Sequence, residues 1–80
     1  MTLSLYQVTI TETNITETTK ARSGFLVQTS EAIRAVTIAI EVFRTWQTTH
    51  GNSIKKIEVQ RVEHCSSVYG TFLADTAKGE

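Results

Sequence analysis

Tyr6, Val8 and Ile10 alternate with Gln7, Thr9 and Thr11, a period of two that predicts a strand over about residues 3–11 with its apolar set turned to a core. Leu3 and Leu5 have the opposite parity and are expected to project from the other face. From Glu12 to Thr19 the chain holds Asn14, Glu17 and threonines with no buried period, which predicts a hairpin loop. A second strand follows over 20–28, in which Ala21, Ser23, Phe25 and Val27 share a side and Gly24 marks a bulge or a close backbone contact. Two strands joined by a short polar loop pair antiparallel.

The period changes after Thr29-Ser30-Glu31, where a hydroxyl can cap a helix and Glu31 complements the positive end of its dipole. A helix is predicted over about 30–49, closed by His50 and Gly51. Steps of 100° place Trp46, Ala39, Ala32, Phe43 and Val36 at the middle of its apolar face, with Ile33 and Ile40 to one side and Ala35, Val42 and Ile38 to the other. This stripe covers roughly 220°, about twice what a helix lying on one sheet needs. The margin at Ile38, Val42 and Trp46 is therefore expected either to meet another molecule or to lie under a curved sheet or a C-terminal segment of the same chain.

Ile54, Ile57, Val59 and Val62 predict a third strand over about 53–63. Val62 breaks the parity of Ile57 and Val59, so a bulge near Gln60 or a change of buried face is expected. His64 to Ser67 read as a turn, and Val68 to Leu73, with Tyr69 and Phe72, as a short fourth strand. Asp75 to Glu80 are small and charged and are expected to fray. The order is ββαββ. The predicted class is α+β, a single domain with an antiparallel sheet of three to four strands and one long helix across one face.

Composition narrows the function by exclusion. Eighty residues with 40% apolar and 20% charged side chains suit one folded domain with one core. Eight basic residues balance eight acidic ones, which disfavours a whole-molecule attraction to nucleic acid or to an acidic membrane. Nothing near the start reads as a signal peptide or a membrane span, so the expected location is cytoplasmic. Asn14-Ile15-Thr16 then reads as a turn and not as a glycosylation site. One cysteine, Cys65, excludes an internal disulfide.

No constellation for chemistry emerges. Cys65 adjoins His64, yet neighbouring side chains in extended backbone point to opposite faces, so a thiol and its base would not meet. His50, His64, Cys65 and Asp75 lack the short spacing of metal ligands, and the four isolated glycines form no phosphate-cradling loop. The expectation is no catalytic residue, no cofactor and no metal. Lys20, Arg22, Lys55, Lys56 and Arg61 make a basic set on two strands, and tyrosines could stack on bases, which defines an alternative reading as a small nucleic-acid-binding module. Glu58 and Glu63 interrupt that set.

The stretches Leu5-Tyr6-Gln7-Val8-Thr9-Ile10, Gly24-Phe25-Leu26-Val27-Gln28-Thr29-Ser30-Glu31-Ala32 and Ile54-Lys55-Lys56-Ile57 resemble, in their order, small ββαβ proteins of bacteriophages and mobile elements, several type I anti-CRISPR proteins among them. That resemblance implies a non-enzymatic inhibitor that occupies a surface of a host defence complex in the host cytoplasm. Many such inhibitors are acidic phosphate mimics. This chain is neutral, so steric binding is the expected mechanism. The expected interaction surface comprises Leu3, Leu5, Ile38, Val42 and Trp46, with a protein partner or a second copy of the chain in a homodimer.

Overall fold

The computed structural model describes residues 2–14, 16, 18, 20–46 and 53–75. The fold is α+β: strands β1 (Ser4–Thr13) and β2 (Lys20–Thr29), helix α1 (Ala32–Trp46), strand β3 (Ser53–Arg61), a 3-10 turn (Val62–His64) and strand β4 (Thr71–Ala74). The expected helix end near Thr48 or Thr49, its cap at Gly51 and the tail beyond Asp75 lie outside the described residues.

The sheet order is β3-β1-β2-β4. β1 pairs antiparallel with both β2 and β3, whereas β4 lies parallel to β2. The sheet is thus mixed, which corrects the expectation of an all-antiparallel one. The reason is topological. β2 and β3 run the same way on either side of β1, and α1 carries the chain between them across one face of the sheet. Residues 62–70 then return across the opposite face, from the β3 edge to the β2 edge, so β4 must enter parallel to both. The two crossovers wind in the same sense, as the rule for parallel connections requires.

Sandwiched between the crossovers, β1 is buried along most of its length on both faces. Tyr6, Val8 and Ile10 meet Phe25, Val27, Ala35, Ala39 and Phe43 in the core, as their parity predicts. Gln7, Thr9, Thr11 and Thr13 are buried as well. An alternating pattern normally reads as one wet face, but here long-range chain covers the polar face too.

The core-facing line of α1 is Ala35, Ala39 and Phe43, residues four apart. Two alanines at its centre let the helix approach the strands closely, and Ala32, Ile38, Ile40 and Val42 pack around them from both sides. Most of the wide stripe is therefore covered by the chain's own core. Trp46, expected at the middle of the stripe, stands 55% exposed at the last described turn, with its ring 6.0 Å from that of Phe25. Ile33 is 72% exposed.

β3 also differs from expectation. Pairing with β1 is regular from Lys56 to Arg61, and the register shift falls at the other end, between Thr11 and Glu12, where Lys55 is skipped. No bulge forms near Gln60: the strand stops at Arg61, and Val62 escapes the parity conflict by starting the 3-10 turn. β4 is shorter than the predicted 68–73, because Val68, Tyr69 and Gly70 belong to the crossover. In the hairpin loop Asn14 Oδ1 accepts from Thr18 N and Asn14 Nδ2 donates to Thr18 Oγ1, both at 2.9 Å, so its amide is engaged in holding the turn.

Candidate functional site

The crossover is fastened to the sheet by a glutamine. Gln7 Nε2 donates to the Tyr69 carbonyl at 3.0 Å, and Tyr69 N donates back to Gln7 Oε1 at 2.9 Å. The amide thus replaces, for one residue, the pairing that a neighbouring strand would give. The Tyr69 hydroxyl lies 3.2 Å from Thr9 Oγ1. Its ring rests on Gly24, where a Cβ would collide with the ring and with the Tyr69 carbonyl. Gly70 sits at φ +109° with its Cα pressed to the Gly24 backbone, a conformation and a closeness that favour glycine. The close backbone contact expected at Gly24 is this one.

Tyr69 nevertheless remains 44% exposed. Beside it stand Val68, 45% exposed, and Phe72, 57% exposed, whose β2 partner across the parallel ladder is Leu26. By strand parity Leu26 and Phe72 face away from the helix, like Gly24 beneath the Tyr69 ring. The sheet face opposite α1 therefore presents an apolar cluster built around an aromatic ring held in one position.

Between the crossover and β3 this face opens into a cleft of about 560 Å³, lined by Gln7, Thr9, Arg22, Glu58, Gln60, Ser66, Ser67 and Tyr69 among others. Among its polar groups Gln7 and Thr9 bond to Tyr69, and Cys65 lies beside Gln60. The Cys65 thiol has two acceptors within reach of its one proton, the Arg61 carbonyl at 3.4 Å and Gln60 Oε1 at 3.6 Å, while His64 Nε2 lies 3.5 Å from Glu63 Oε2. Thiol and imidazole turn to different partners, so the adjacent pair makes no nucleophile and base. Among the described residues no three histidines, cysteines or carboxylates gather as metal ligands, and no described helix is long and apolar enough to cross a membrane.

The five basic residues divide. Arg22 and Lys56 flank Thr11 in one row across β2, β1 and β3, and Lys20 shares the parity of Arg22, so these three face away from the helix together. Arg61 lies at the far end of β3, 3.8 Å from Glu63, and Lys55 adjoins the register shift. Lys56 is 3.4 Å from Glu58. The expected interaction residues divide too. Ile38 and Val42 lean on the core and are half-buried, Leu3 and Trp46 are exposed, and Leu5 is intermediate. Leu3, Leu5, Arg61, Val62 and Glu63 line a shallow depression of about 360 Å³, and by strand parity Leu5 turns to the face opposite the helix that carries Ile38, Val42 and Trp46. No single surface unites the five.

Asp75 is the second fastening missed by sequence reasoning. Its backbone N–H donates to the Gln28 carbonyl at 3.0 Å, and its carboxylate accepts from Thr29 Oγ1 at 2.6 Å and from Arg34 Nε and Nη2, each at 3.2 Å. Those hydrogen bonds, and then the carboxylate charge, raise the Arg34 guanidinium above its ordinary value. Arg34 thereby ties the first turn of α1 to the end of β4. Asp75 is held in place, contrary to the expectation that it frays.

No protein-family model matches the chain, and neither a curated protein nor a solved structure matches it.

Proposed function

We propose that the chain is a non-enzymatic protein-interaction module that acts by occupying a partner's surface, and that its docking face is the side of the sheet opposite α1. One observation carries the reading: Val68, Tyr69 and Phe72 stand exposed together on that face, with Tyr69 already fixed by Gln7, Thr9 and Gly24. Aromatic anchors dominate protein interfaces, and an anchor ordered before binding loses little entropy on docking. Arg22, at the rim of the cleft, adds a planar cation suited to a carboxylate on the partner. The partner class to try first is a cytoplasmic host defence complex, which the resemblance to anti-CRISPR proteins implies; the near-neutral charge favours steric occupation over phosphate mimicry.

The test is affinity capture from host extract with the wild type, Val68→Asp and Phe72→Asp. A discrete protein complex is expected with the wild type and is lost with either variant while circular dichroism is unchanged. Retention by both variants would refute this face.

A second reading follows from the row Arg22-Thr11-Lys56, with Lys20 beside it and Tyr69 on the same face, which could receive a single nucleic-acid strand. Affinity for an oligonucleotide that falls steeply with salt and is weakened by Arg22→Ala would favour it over protein docking.

A further inference from the structure

β3 is an edge strand of nine residues, Ser53 to Arg61, mostly exposed: Ile54 and Ile57 are half-buried against the core, and Val59 stands exposed. A long edge of this kind is a template for another strand. We propose that its occupant is β3 of a second copy, paired antiparallel about a two-fold axis at Ile57, so that two four-stranded sheets join into one of eight strands.

The charges on β3 select both the partner and the register. Lys56 and Glu58 lie on the same face, 3.4 Å apart, one on each side of Ile57. In an antiparallel pair centred on Ile57, Lys56 stands directly across from Glu58 of the partner subunit, and Glu58 from Lys56 of the partner subunit. Four charges then alternate in sign around the axis. Sliding the pairing by two residues in either direction would set Lys56 against Lys56 of the partner subunit or Glu58 against Glu58 of the partner subunit, and like charges directly opposite destabilise a ladder. Lys56, Ile57 and Glu58 all stand in the regular part of the strand, past the register shift that skips Lys55, so the central pairing is undistorted. On the helix side Ile57 meets Ile57 of the partner subunit. An isologous contact of this type closes on itself and leaves the β4 edges, only four residues long, at the two ends of the dimer.

The charge pattern supplies the test. Light scattering and native mass spectrometry over a concentration series are expected to show a wild-type dimer. Lys56→Glu and Glu58→Lys, each alone, place like charges across the axis and are expected to weaken association about tenfold or more. An equimolar mixture of the two restores opposite charges at both positions, so a heterodimer is expected from two chains that associate poorly by themselves. The double variant with both substitutions keeps the pairing inside each strand as well as across the axis and is expected to dimerise like the wild type, which keeps the test open should a single variant fold poorly. A monomeric wild type at every concentration, single variants that dimerise as tightly as the wild type, or a mixture with no preference for the heterodimer would each overturn the proposal. Capture of a partner on the sheet face is read separately and does not depend on this outcome.

Discussion

Thr29 and Asp75 are joined by a 2.6 Å hydrogen bond across 46 positions of the chain, and through it the residue that follows β4 is locked to the residue that ends β2. Thr29 is fully buried, so its hydroxyl has no water to turn to if the carboxylate is removed. The carboxylate also holds Arg34, whose side chain is itself partly exposed and adds less than its two contacts suggest.

Asp75→Ala is therefore expected to lower stability by about 1–3 kcal/mol, mostly through the stranded Thr29 hydroxyl. Asp75→Asn retains an acceptor for Thr29 and should lose less. Urea unfolding of the three proteins checks the order. The raised Arg34 value fixes the pH behaviour: the guanidinium's contribution is complete below the ordinary arginine range and is lost only as pH climbs through the folded-state value. The Arg34 share of the difference between wild type and Asp75→Ala should accordingly be flat across neutral pH.

Gly24→Ala and Gly70→Ala test the crossover seat from its two sides. A Cβ on Gly24 would strike the Tyr69 ring and carbonyl, and one on Gly70 would strike the Gly24 backbone at a φ that disfavours side chains. Each is expected to cost about 1–3 kcal/mol by overpacking, with Gly70→Ala the worse because backbone yields less than a ring. Thermal unfolding checks this; two near-neutral substitutions would mean that the crossover is not seated on Gly24.

Val42→Glu and Ile33→Lys separate the covered part of the helix stripe from the uncovered part. Val42 packs on the core, so a carboxylate there should destabilise the fold by about 1–3 kcal/mol. Ile33 is largely in water, and Ile33→Lys should fall within about 0.5 kcal/mol of the wild type. Chemical denaturation of the pair reads the difference directly.

How much of this was legible along the chain depends on the range of the interaction. Tyr6, Val8 and Ile10 reveal their inward face because period-two parity is local, and the elements themselves fall close to where the pattern places them. Gly24 gave a usable hint of close approach but not of what approaches. Gln7 and Thr9 read as wet because their neighbours alternate correctly, yet Tyr69, 62 and 60 positions away, covers them. Nothing near Gln7 encodes that. The parallel placement of β4 was hidden for the same reason: a short polar run after β3 suits a hairpin as well as a crossover, and only the Gly24–Gly70 fit and the Asp75 clasp favour the latter. The exposure of Val68, Tyr69 and Phe72 was hidden because they read as one short strand, whereas Val68 and Tyr69 belong to the crossover.

Gln7→Leu brings these points to one measurement. Leucine has nearly the volume of glutamine but can neither accept from Tyr69 N nor donate to the Tyr69 carbonyl, so two partly buried backbone groups lose their partners. Stability should fall by about 2 kcal/mol, and the loss should be local before it is global. Amide exchange at Tyr69 is expected to accelerate well beyond that of the β1–β3 ladder, whose hydrogen bonds do not involve the crossover. Because Tyr69 is the anchor of the proposed docking face, partner capture should weaken in the same variant even though Gln7 is buried and touches no partner. Unchanged exchange at Tyr69 would show that the ring's seat on Gly24 holds the crossover by itself; loosened exchange with undiminished capture would detach the docking role from the fixed ring.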